Sequence, residues 1–73
     1  MNDSPSARPI TAWLCLLNDK AALLSHPGLH HRTLVEEAYK LHQIQLIDRD
    51  ALSDLLEQAD GALAYAVEAL LDD

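Results

Sequence analysis

Between residues 49 and 71 the apolar side chains recur every three or four positions: Leu52, Leu55, Leu56, Ala59, Ala62, Leu63, Ala66 and Leu70. An α-helix turns once in about 3.6 residues, so this spacing gathers them on one broad face. Asp50, Asp54, Glu57, Glu68 and Asp72 fall within a narrow sector on the opposite side. The pattern predicts a helix over about 49–71 with one dry face and one acidic face. A chain that commits so much of its length to such a helix must cover the dry face with other helices, because no segment offers a sheet.

Two more helical segments supply that cover. Over 9–25, Ile10, Leu14, Leu17, Ala21 and Leu24 form one stripe, and Pro9 suits a first helical turn, where its missing N–H costs nothing. His26-Pro27-Gly28 ends this segment, since proline disfavours helix in the residue before it. Over 33–43, Leu34, Ala38 and Leu41 form one line, with Val35, Tyr39 and His42 beside it. Thr33-Leu34-Val35-Glu36 matches a capping box, which predicts that this helix begins at Thr33. Residues 43–47 alternate like a strand, but a lone strand has nothing to pair with. They read as a helix end and a tight connection. Asp48 then caps the third helix, with Ile47 and Leu52 placed for a hydrophobic staple.

The expectation is an all-α fold, either a small three-helix bundle or a helical hairpin plus one helix. Residues 1–8 read as a disordered tail and residues 9–73 as a single helical domain. Leu and Ala dominate, there is no Phe, and β-branched residues are sparse, all of which favours helix over strand.

With 73 residues the chain buries only about 60% of its unfolded surface. Cys15 is its one cysteine, so no intrachain disulfide can compensate, and a homodimer is the expected remedy. Leu16 and Leu23 lie nearly opposite the first helix's main stripe, with Trp13 alongside. Trp13, Leu16 and Leu23 are therefore the expected dimer surface. The single cysteine fits a reducing compartment. The charge pattern of the first residues does not suit a secretory signal, and no apolar run reaches the roughly 20 residues of a membrane span. The sequence thus points to a cytoplasmic protein with no membrane partner.

The net charge of −7 is unevenly placed. Asp3, Asp19, Glu36 and Glu37 balance Arg8, Lys20, Arg32 and Lys40 in the first 47 residues. Residues 48–73 hold the other eight acids against Arg49 alone. Direct nucleic-acid binding needs a basic surface. A helix-turn-helix around residues 44–48 would carry Asp48, Asp50 and Asp54 towards the phosphates, so the charge excludes that motif too.

His26, His30 and His31 cluster around the Pro27-Gly28 turn, with Cys15 and His42 elsewhere. Zinc needs three or four converging ligands, and neither a His-Glu-x-x-His motif nor a cysteine pair is present. No metal or cofactor is expected. A Cys–His pair without an oxyanion loop does not make an enzyme, and none is expected. The leading reading is a small acidic protein-binding module, an adaptor, regulator or inhibitor; its acidic face suits a partner with a basic surface, and solubility alone is the other reading of that face. The module's binding face would be Asp50, Asp54, Glu57, Tyr65 and Glu68. The alternatives are a metal- or ligand-binding protein built on His26, His30 and His31, and a structural subunit of a larger assembly.

Overall fold

The computed structural model describes residues 7–71, and these form four α-helices. They are α1 (Ala7–Leu17), α2 (Lys20–Ser25), α3 (Pro27–Gln43) and α4 (Arg49–Leu71). The fold is a small all-α bundle with no strand among the described residues. Its main body is the hairpin of α3 and α4, against which α1 and α2 pack. The disordered tail expected over 1–8 lies mostly outside the described residues; Ala7 and Arg8 already belong to α1.

The expected first helix is two helices. Asn18 and Asp19 break it. The Leu14 carbonyl at the end of α1 accepts both the Asn18 backbone N–H at 3.1 Å and its side-chain Nδ2 at 2.9 Å. Asp19 then caps α2, its Oδ1 accepting the Ala22 N–H at 3.2 Å. The apolar stripe ran unbroken through both residues in the sequence, which concealed the break. α2 carries Leu23 into the interior, where it is 4% exposed.

The second expected helix starts six residues earlier than the capping box implied. Pro27 takes the first position of α3, with His26 as the single residue between α2 and α3. Proline here both stops one helix and opens the next. Thr33 is consequently an interior residue, and its Oγ1 donates back to the Leu29 carbonyl at 3.0 Å. Glu36 accepts from Arg32 Nε at 3.2 Å instead of returning to a cap. The capping box is not formed.

The connection from α3 to α4 is a tight turn, as expected. Gln45 has a φ of 64°, the left-handed conformation that closes a helix. Leu46 N–H donates to the Leu41 carbonyl and Gln45 N–H to the His42 carbonyl, both at 3.0 Å. This pair of bonds is a Schellman motif. Asp48 caps α4 as expected, accepting the Ala51 N–H at 2.8 Å. Ile47 and Leu52, the two residues of the staple, both enter the core.

The core joins Trp13 of α1, Leu34, Ala38 and Leu41 of α3, Ile47 of the turn, and Leu52, Leu55 and Ala59 of α4. The broad face read from the α4 sequence is the face that packs. No helix among the described residues is long and apolar enough to cross a membrane.

Candidate protein-binding surface

Burial of Leu52, Leu55, Ala59 and Ala66 fixes how α4 is rotated in the bundle. Positions half a turn away must face outward. Asp50, Asp54, Glu57, Tyr65 and Glu68 are accordingly all exposed, on the side away from the core. The structure brings these expected residues to one face of one helix.

The electrostatics of α3 and α4 differ in kind. On α3, Glu36 pairs with Arg32 at 3.2 Å and Glu37 with Lys40 at 3.1 Å. Those pairs follow the i, i+4 and i, i+3 spacing that lets a helix neutralise its own surface. On α4, Asp60 lies 2.8 Å from Nε2 of His31. Asp50, Asp54, Glu57 and Glu68 have no ion-pair partner among the described residues. No lysine lies on α4, and its one arginine, Arg49, stands at the start of the helix. Lys20 of α2 is the base that approaches this face. Its Nζ is 6.0 Å from the centroid of the Tyr65 ring, at the outer limit of a cation–π contact.

The end of α4 carries something the apolar pattern did not reveal. Leu70 belongs to the dry face by spacing, yet it is 53% exposed, and Leu71 is 79% exposed. Tyr65 and Val67 are also exposed. α4 has 23 residues and α3 has 17, so about the last turn and a half of α4 has no α3 residue beside it. The signal available in the sequence was the relation between helix lengths, and the misplaced start of α3 distorted it. Tyr65, Glu68, Ala69 and Leu71 border an open surface depression of about 550 Å³.

The expected dimer surface is not a surface. Trp13 is 3% exposed and sits in the core, and Leu23 is buried beneath α2. Leu16 is half-buried against the same core. Trp13 and Leu16 precede the break at Asn18-Asp19, so the rotation of α1 turns them inward; Leu14 of the expected main stripe is 38% exposed instead. Trp13, Leu16 and Leu23 serve the monomer.

The histidines are dispersed. His26 is exposed at the start of α3 and makes no side-chain capping bond. His30 and His31 are on α3 itself rather than in a loop. His30 is 5% exposed, and its Nε2 is buried without a hydrogen-bond partner. His31 turns to Asp60. Among the described residues no group of three or more His, Cys, Asp or Glu side chains is placed to hold a metal ion.

Comparison with protein-family models, curated proteins and solved structures gives no match. The exposed face and end of α4 are the features from which function has to be read.

Proposed function

We propose that this chain is a small protein-binding module whose outer α4 face meets a basic surface on another protein. One observation carries the reading: Asp50, Asp54, Glu57 and Glu68 share one face with no ion-pair partner among the described residues, whereas the acids of α3 are paired on their own helix. A helix face selected for solubility alone gains by mixing signs, because like charges at i, i+4 oppose helix formation by a few tenths of a kcal/mol. Asp50 and Asp54 accept that penalty. Glu68 also lies towards the C-terminal end of α4, where the helix dipole disfavours an anion. A partner contributing Lys or Arg converts these local costs into binding energy and a faster encounter. Tyr65, exposed on the same face, adds a large ring of the kind that anchors interfaces.

The test is capture of partners on the full chain, comparing wild type with Asp54→Lys combined with Glu57→Lys. Both positions are exposed and make no ion pair with another described residue, so the fold should persist with an unchanged or higher melting temperature. The reading requires that capture be lost in the double variant and weaken with rising salt in the wild type. Capture that survives both changes would show this face to be only solvated.

A further inference from the structure

We infer that the C-terminal end of α4 is a docking surface for a basic amphipathic helix. The inference rests on the proposed function and names the chemistry of the partner. Among the described residues, four of the eight exposed large apolar side chains lie within one short stretch of α4: Tyr65, Val67, Leu70 and Leu71. Val67, Leu70 and Leu71 are spaced i, i+3 and i+4, so they are neighbours on the helix surface. Leu70 continues the line of Leu52, Leu55, Ala59 and Ala66, which are buried further back. The dry face of α4 therefore runs on past the bundle. Leu71 also turns towards the acidic side, where it shares the 550 Å³ depression with Tyr65 and Glu68.

Charge selects the occupant. After Arg49 every charged residue of the sequence is an acid, including Glu68 within the apolar end. A second copy would bring a further −7 and the same acids to the same place. An amphipathic helix with leucine-like residues at i, i+3 and i+4 and Lys or Arg on its flanks satisfies both features at once. Its apolar edge covers Leu71 and the Tyr65 ring, which share the depression, and its end reaches round the tip of α4 to Leu70. Its cations reach Glu68 and, further along α4, Glu57 and Asp54. At the centre of that path Gly61 is exposed, has a negative φ, and has nothing within 4 Å of where a Cβ would stand. No described residue stands where its Cβ would go, and its bare surface admits a close helix crossing.

The experiment uses the full chain and two short synthetic amphipathic helices with the same leucine pattern. One carries Lys at its polar positions and the other Glu. Binding is followed by fluorescence anisotropy, with amide chemical shifts to locate it. The lysine peptide should bind, the glutamate peptide should not, and shifts should concentrate between Tyr65 and Leu71. Leu70→Ser with Leu71→Ser retains every charge and alters only exposed side chains; it should weaken binding at least about tenfold with the thermal melt unchanged. Binding that ignores this variant but vanishes in Asp54→Lys with Glu57→Lys overturns the apolar dock and leaves the acidic-face reading standing. Binding that needs Leu70 and Leu71 but ignores charge reversal and takes both peptides equally overturns the basic partner. A wild-type dimer in sedimentation that Leu70→Ser with Leu71→Ser dissociates makes the occupant a second copy and overturns the proposal. No binding of either peptide overturns it as well.

Discussion

Trp13 Nε1 donates a hydrogen bond to the backbone carbonyl of Leu34 at 2.9 Å, joining residues 21 positions apart. Leu34 is fully buried in the middle of α3, and Trp13 is the large side chain by which α1 enters the same core. The bond satisfies the indole N–H in an otherwise apolar place and fixes the ring's orientation. A chain this small has few such long-range ties, so its stability should depend strongly on this one.

Trp13→Phe keeps a ring but removes the donor and part of the volume. It should lower unfolding free energy by about 1–2 kcal/mol. Trp13→Ala should cost about 3–5 kcal/mol, comparable with the whole stability of a domain this size, and leave the chain largely unfolded. Leu23→Glu should likewise unfold the chain rather than dissociate a dimer. Circular dichroism in urea tests all three. A folded Leu23→Glu protein would contradict the burial of Leu23.

The caps give a paired comparison. Asp48→Ala removes the acceptor of the Ala51 N–H and should cost about 1 kcal/mol. Thr33→Ala removes only a hydroxyl bonded back to Leu29 within a continuous helix, and should be close to neutral. Equal losses in denaturant melts would restore Thr33 as a helix start.

Two backbone positions should be improvable. Gln45→Gly removes the steric cost of a side chain at a φ of 64° and should add roughly 0.5–1 kcal/mol. Gly61→Ala should add about 1 kcal/mol, because its space is open and its backbone is helical. The two measurements separate their roles: Gln45→Gly should leave peptide binding unchanged, whereas Gly61→Ala should stabilise the chain and weaken binding. Urea midpoints and peptide titrations on the same samples decide this.

His30 is the buried polar side chain that lacks a partner at Nε2. Leaving such a group unsatisfied costs about 1–3 kcal/mol. His30→Leu, similar in bulk and apolar, should therefore raise stability by about 1 kcal/mol. A lower melting temperature for this variant would mean that the imidazole makes contacts worth more than its desolvation.

The sequence by itself determined the local chemistry. The apolar period of residues 49–71 set α4 and its buried face. Asp48 marked the start of α4, and the polar spacing placed Asp50, Asp54, Glu57, Tyr65 and Glu68 on its outer side. Each of these follows from side chains within a turn or two of one another, where helix geometry alone fixes the relation. Local patterns also misled where two locally acceptable structures competed. Thr33-Leu34-Val35-Glu36 suits a helix start or a helix interior equally, and Ile10 to Leu24 suits one helix or two. Only the tertiary structure decided those cases. In α1 two apolar stripes compete to face inward, and the one that carries the large indole of Trp13 is buried while Leu14 of the other stays exposed. Starting α3 at Pro27 extends its packing against α4 and still leaves the longer helix uncovered at its end. Which apolar residues remain exposed thus depends on how far each helix runs past its neighbour, a relation between distant segments that no periodicity within one of them contains.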